Sequence, residues 1–288
     1  MSRDLVIQSP ALDKHLIDQI AAIAQANGVK WTSKSAARLL SASEAPEDKQ
    51  AVVQWCQDLL ADYAYVDPQA EFSDCKILVM DMDSTLINIE CIDEIAAFAG
   101  RKDEVSSITE RAMRGEIASF SESLRLRVAF LEGLDASVLN DVYTQRLQLN
   151  PGAQELITAA QKAGIRTLLV SGGFTFFTKR LQERLGLDET QANTLEEDSQ
   201  GRLTGRVLGD IVDAQAKADY LNQFAQKHGV TSPDQVIAIG DGANDLKMMA
   251  LATYSVAYRA KPVVQAQANF ALNHSPLDAV VNWFKETE

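Results

Sequence analysis

The chain has only three cysteines, Cys56, Cys75 and Cys91, and none sits in a Cys-x-x-Cys pair or at metal-ligand spacing from a histidine. This excludes a zinc site and a disulfide framework. It leaves small, partly buried hydrophobes in a reducing compartment. Basic residues are scarce as well: 27 Lys and Arg stand against 40 Asp and Glu, for a formal charge of −13. Nucleic acids and acidic membranes are polyanions that require basic patches, so neither is expected as a partner. No stretch approaches the roughly 20 apolar residues that span a bilayer. The start, MSRDLVIQSP, has neither the apolar core nor the small-residue cleavage site of a secretory leader, and a cytoplasmic location is the expectation.

What is present suffices for a sizeable core, with 46% hydrophobic residues in 288. Residues 4–8 read as a strand, 11–27 as an amphipathic helix closed by Asn27-Gly28, 36–41 as a strand and 47–64 as a helix. A small N-terminal α/β domain over 1–74 follows, with a boundary in the turn-rich DPQAEFSD, residues 67–74. From residue 75 onward three apolar runs recur, KILVM (76–80), RTLLV (166–170) and QVIAIG (235–240), each followed by a turn and a helical pattern. That alternation predicts a Rossmann-like α/β fold, a parallel sheet covered on both faces. Residues 92–150 carry helical periodicity without a strand signal and read as a helical cap inserted between the first two runs. Residues 193–209 alternate polar and apolar residues about Gln200-Gly201 and predict a β-hairpin.

Open parallel sheets bind ligands beyond the carboxyl ends of their strands. The three runs end in DMDST (81–85), SGGFT (171–175) and GDGAND (240–245). Asp81, Asp83 and Asp241 would repel one another in a cleft unless a cation lay between them, and all-oxygen ligands suit Mg²⁺. Ser171, with the backbone N–H groups at Gly172 and Gly173 opening a helix, suits a phosphate oxygen. Lys217, on the helix before the third run, supplies a fixed positive charge to the same anion. The sum is a phosphoryl-transfer site. Asp81 is the candidate nucleophile, already ionised at neutral pH. Asp83 is the candidate general acid to the leaving alkoxide and then general base to water. Each signal alone is also what a turn, a helix cap or a solvated lysine looks like; their order at successive strand ends distinguishes them.

These four segments resemble the motifs of the haloacid dehalogenase superfamily of aspartate-nucleophile phosphohydrolases, and the second aspartate favours a phosphatase over a dehalogenase. The segments DMDSTLINIECIDEIA, ERAMRGE, SLRLRV, VSGGFTFF and GDGANDLKMM are more closely similar to the phosphoserine phosphatase family. The resemblance implies Mg²⁺-dependent hydrolysis of O-phospho-L-serine to serine and phosphate, the last step of serine biosynthesis. It implies that Asp81 is phosphorylated, that Asp83 also offers its carbonyl to the metal, and that Asp241 is the remaining carboxylate ligand with Asp245 in support. Ser171, Gly172 and Lys217 match phosphate-binding positions, and Asn244 matches a residue that reaches the phosphorylated substrate. Glu90 corresponds to the residue that accepts from the substrate ammonium and Arg127 to the one that pairs with its carboxylate, a matched acid and base for a zwitterion. Met113 and Phe120 match apolar cap residues. MRGEIASF is one residue longer than the family spacing before Phe120, an excess that a local bulge would absorb.

Related enzymes carry an N-terminal ligand-binding domain of the ACT type. Residues 1–74 show about half the strands of such a βαββαβ unit, which suggests a degenerate relative, a homodimerisation piece or a stabilising flap. Two other functions stay open: a phosphotransferase that passes the phosphoryl group to another alcohol, and an amino-acid-binding regulator that uses the phosphatase fold as a scaffold.

Overall fold

The computed structural model describes residues 2–113 and 116–285. The N-terminal segment runs β1 (Asp4–Gln8), α1 (Lys14–Ile23), β2 (Gly28–Ser33), β3 (Ala36–Leu40), α2 (Pro46–Asp58) and β4 (Asp62–Val66). Its antiparallel sheet has the order β2-β3-β1-β4. The unit is therefore a complete βαββαβ, and the expectation of half the strands is corrected. Two causes hid the missing strands. β2 is a largely exposed edge strand, so Val29 and Trp31 face outward and no buried alternation marks it. The apolar pattern that suggested helix to residue 64 breaks at Leu60, which takes a left-handed φ of 51° with no glycine to announce it. β4 then buries alternate residues, Asp62, Ala64 and Val66.

The second segment begins with β5 (Ile77–Met80). The helices α3 (Cys91–Phe98), α4 (Lys102–Met113), α5 (Phe120–Ala129) and α6 (Val138–Gln145) follow it, and α7 (Ala153–Lys162) leads to β6 (Arg166–Phe174). Then come α8 (Thr175–Leu185), β7 (Glu189–Glu197), β8 (Leu203–Leu208), α9 (Ala214–Lys227) and β9 (Val236–Gly240). The chain ends through α10 (Leu246–Met249), β10 (Tyr254–Tyr258), α11 (Pro262–Gln265) and β11 (Phe270–Leu272). The seven strands take the order β11-β10-β9-β5-β6-β7-β8, and only β8 runs antiparallel to its neighbour. β7 starts at Glu189, four residues before the predicted hairpin, and the reversal turns at Gly201 with φ 73°.

β5 shows why an unbroken apolar run makes a central strand. Leu78 and Met80 enter the core on one face of the sheet while Ile77 and Val79 enter the core on the other, all fully buried. Side chains of a strand alternate faces, so a strand with no polar residue needs cover on both sides. Each such side chain contributes about 1.5–3 kcal/mol of burial. From β5 the chain builds outward to β6 and β7 on one side and to β9, β10 and β11 on the other. The carboxyl end of β5 is thus the point where strand order reverses, the place where an open α/β sheet forms a crevice.

Two buried charges fasten the N-terminal unit to this sheet. The Asp62 carboxylate accepts N–H bonds from Asn273 (2.7 Å), His274 (3.0 Å) and Ser275 (2.7 Å). The Arg38 guanidinium pairs with Asp4 at 3.3 Å and donates to the Phe284 carbonyl at 2.9 Å. Hydrogen bonds to charged groups contribute about 1.5–3 kcal/mol each, and they also satisfy charges that burial would otherwise penalise.

Candidate active site

β5 delivers Asp81 directly: its N–H still joins the sheet, donating to Ile239 at 3.0 Å, while its side chain passes the strand end. The next residues form a tight loop in which Ser84 adopts φ 58°. Asn150 holds that loop, its side-chain amide donating to the carbonyls of Thr85 (2.8 Å), Ile87 (3.0 Å) and Ser84 (3.3 Å). With these carbonyls satisfied, the loop keeps a strained shape in which Asp83 and Ser84 depart from helical dihedrals.

Asp81 is 5% exposed, and Lys217 and Asp245 are fully buried. Lys217 Nζ donates to Asp81 Oδ1 at 2.6 Å and to Asp245 Oδ1 at 2.6 Å. Burial weakens the lysine's hold on its proton, but the Asp245 and Asp81 carboxylates outweigh it and hold the proton more firmly than usual. The other Asp245 oxygen accepts the Gly242 N–H at 3.0 Å. Asp241, one residue past β9, accepts the Thr85 hydroxyl at 3.1 Å. Burial, then Asp245 and Glu90, push the Asp241 carboxyl up to about 6. Burial and the Asp245 charge raise Asp81 well above the carboxylate range against the pull of Lys217.

One oxygen each from Asp81, Asp241 and Asp245 lies within 4.8 Å of the others. Three carboxylates against one lysine leave net negative charge in a buried place, and the donors are all oxygen. That set fits a hard divalent cation. Asp245, expected only in support, is thus central: it is buried, touches Lys217 and belongs to the carboxylate group.

Asp83 stands two residues beyond Asp81 in the same loop. Its carboxylate accepts the Cys91 N–H at the start of α3, at 3.4 Å. Burial and the nearby Glu90 charge push it up to about 8. An Asp with this environment keeps its proton near neutrality and has the character of a general acid. A side chain built on Gly173 would meet Asp83 Oδ2 at 2.7 Å, and one on Gly172 would meet the Phe120 ring at 2.7 Å. The two glycines therefore allow the β6 loop to approach the acid on one side and the first residue of α5 on the other. Ser171, fully buried, accepts the Gly173 N–H at 2.8 Å, and α8 begins two residues after Gly173.

At the rim Glu90 is exposed and accepts the Ser84 hydroxyl at 2.7 Å. Arg127 is half-buried on α5; burial lowers its proton affinity, and the charges of Asp93, Glu90 and Asp83 restore part of it. Asn244 is half-buried, with its carboxamide oxygen against Gly242. Met113 ends α4, but its side chain and residues 114 and 115 of the longer cap segment lie outside the described residues. Thr85 and Asn150 escaped the sequence reading: Thr85 reads as part of a turn, and Asn150 meets its partners across 63–66 residues of chain.

Residues 78–250 match the haloacid dehalogenase-like hydrolase family, and residues 5–52 match a domain of unknown function. A phosphoserine phosphatase from Polaromonas sp. (strain JS666) is 53% identical over 222 residues, 76% of this chain and 93% of the relative. One from Idiomarina loihiensis is 52% identical over 74% of this chain and 94% of the relative. An unliganded Vibrio cholerae structure, described as a probable phosphoserine phosphatase, superimposes with a TM-score of 0.83 at 38% identity, over 98% of this chain and 86% of that one. A substrate-bound phosphoserine phosphatase complex matches 73% of this chain and 99% of its own, with a TM-score of 0.68 at 36% identity. Among the described residues no helix is long and apolar enough to cross a membrane. By fold, site and these similarities, the chain belongs to the phosphoserine phosphatase family of the haloacid dehalogenase-like hydrolases.

Proposed function

We propose that the chain hydrolyses O-phospho-L-serine to L-serine and inorganic phosphate through a phosphorylated Asp81, as the last step of serine biosynthesis in the cytoplasm. The observation that carries the mechanism is the convergence of Asp81, Lys217, Ser171 and Asp83 at the carboxyl end of β5, with Phe120 of α5 packed over Gly172. A carboxylate that attacks, a lysine that holds it, a hydroxyl loop and a protonated carboxyl group two residues on are the parts of acid-assisted phosphoryl transfer.

An Asp81 oxygen attacks phosphorus as the bond to the seryl oxygen breaks. Asp83 gives that oxygen its proton, so the leaving group departs as serine rather than as an alkoxide. Asp83, now ionised, takes a proton from water, and the hydroxide oxygen attacks the phosphorus of the acyl phosphate. Asp81 is released with inorganic phosphate, and Asp83 is protonated again. Throughout, the Lys217 ammonium, the Ser171 hydroxyl and the Gly172 N–H hold the phosphoryl oxygens, at the start of α8 where the helix dipole favours an anion.

Asp81, Asp241 and the Asp83 carbonyl, with Asp245 beside them, would hold Mg²⁺, whose positive charge would relieve the repulsion among these carboxylates and offset the negative charge of the phosphoryl group. Glu90 accepts from the substrate ammonium, Arg127 pairs with its carboxylate, Asn244 reaches the phosphorylated end, and Phe120 closes the cap over it. No nucleic acid or membrane enters this reaction, and the N-terminal unit is a candidate for homodimer contact.

The test is a panel of phosphate esters assayed with Mg²⁺ and again with chelator. Phosphate release from phosphoserine well above that from phosphothreonine, sugar phosphates and nucleotides, and lost on chelation, is the expected result. A flat profile would sink the assignment of substrate, and full activity in chelator would sink that of the metal.

A further inference from the structure

β6 and β7 pair in parallel at Val170↔Gln191 and again at Phe174↔Asn193. Between these pairs β6 has three residues, Ser171, Gly172 and Gly173, where β7 has only Ala192. The phosphate loop is therefore a bulge thrown out of the ladder, and its carbonyls lose the partners a regular strand would provide. Asn193, the residue at which the register resumes, fills that loss. It is 1% exposed, and its side-chain nitrogen donates to the Gly172 carbonyl at 2.8 Å. Its side-chain oxygen accepts the Val212 N–H at 2.8 Å, which fixes the direction of the amide from the other end. Val212 stands just before α9, the helix of Lys217.

A trans peptide is planar, with its C=O and N–H pointing in opposite directions. Anchoring the Gly172 carbonyl on Asn193 therefore fixes the Gly173 N–H, which donates to Ser171 Oγ at 2.8 Å. A serine hydroxyl has one proton to give and two lone pairs to receive. With one lone pair taken by Gly173, the proton is directed to an acceptor elsewhere. We infer that Asn193 is a positioning residue for phosphoryl binding: through the Gly172–Gly173 peptide it turns the Ser171 hydroxyl proton toward the phosphoryl oxygen. This rests on the phosphate-binding role given to Ser171 under the proposed function.

Asn193→Leu keeps the branched shape and loses both bonds; Asn193→Ser, uncharged and too short to reach Gly172, is the milder second variant. Inorganic phosphate and L-serine are measured separately as inhibitors of phosphoserine hydrolysis with saturating Mg²⁺, and phosphate binding is read again by thermal shift without any ester. In both variants phosphate is expected to weaken about tenfold, the loss of one hydrogen bond to a charged group, while L-serine inhibits as before. A merely structural role would weaken both inhibitors together, and that result overturns the inference, as does unchanged phosphate binding. A crystal structure of the unsubstituted enzyme with inorganic phosphate offers a check that needs no variant: a Gly172 carbonyl turned away from Asn193 would overturn it too. The substrate assignment fails on a different result, no phosphate release from phosphoserine by the unsubstituted enzyme.

Discussion

Lys217 Nζ lies 2.6 Å from Asp245 Oδ1, and both side chains are fully excluded from solvent. The same ammonium meets Asp81, so removing it leaves two buried carboxylates without their counter-charge. Lys217→Met should cost about 3–5 kcal/mol of stability, the range for breaking a buried ion pair by removing one partner. Phosphate release should fall below detection. Urea melts without added divalent cation check the first, and phosphate release assayed with Mg²⁺ checks the second. A variant within about 1 kcal/mol of the parent would show that Lys217 is not the counter-ion this packing implies.

Asp83 is proposed to move protons in both half-reactions, and the two are separable by choice of leaving group. Asp83→Asn should slow phosphoserine hydrolysis by about 10²–10⁴-fold, the usual contribution of a positioned acid or base. Nitrophenolate needs no proton to depart, so the first turnover of p-nitrophenyl phosphate should stay fast. The second half-reaction still lacks its base, and a burst of one nitrophenolate per site should precede a stall. Rapid mixing with optical detection reads this directly. Equal slowing of the first turnover for both esters would remove the acid role from Asp83.

The strands that frame this chemistry were readable because each is buried on both faces: Ile77–Met80 and Val236–Gly240 carry no polar side chain to interrupt them. β11, of three residues, and the exposed β2 offer no such run, and β4 hides behind the left-handed Leu60. Site residues at strand ends share that legibility, because parallel topology brings consecutive strand ends together. Those that support them do not. Thr85 reaches Asp241 across 156 residues and Asn193 reaches Gly172 across 21, contacts that only the folded register creates. Asp245 occupies an intermediate place: its motif was visible, but its contact with Lys217 depends on how α9 lies along the sheet.

Arg127 supplies the test of recognition at the amino-acid end. It is half-buried within reach of Asp93, Glu90 and Asp83, so its charge is already partly neutralised before substrate arrives. Arg127→Ala should raise KM for phosphoserine about 30–100-fold, equivalent to about 2–3 kcal/mol for a charge-assisted pair, with a smaller change in kcat. Phosphoethanolamine has the ammonium but no carboxylate, so the parent and the variant should hydrolyse it equally poorly. A parallel loss on both esters would mean that Arg127 supports the cap rather than the substrate.

Asp188 offers a pH test far from the reacting groups. It joins the start of β6 to the loop before β7, accepting from the Thr167 N–H at 2.8 Å, the Thr167 hydroxyl at 2.9 Å and Arg166 at 2.8 Å. Burial opposes its ionisation, but these hydrogen bonds and the Arg166 charge outweigh it and hold the carboxyl below its usual range. A group whose folded-state proton affinity is depressed stabilises the fold above its unfolded pKa, about 3.9 for Asp, and loses that contribution as pH falls through the folded value. Asp188→Asn should therefore be less stable than the parent by about 1 kcal/mol at pH 7, a figure already reduced for partial exposure. The difference should hold to pH 5 and shrink below pH 4. Urea midpoints for the two proteins at pH 7, 5 and 3.5 check this, and a gap that widened toward acid would reverse the sign assigned to Asp188.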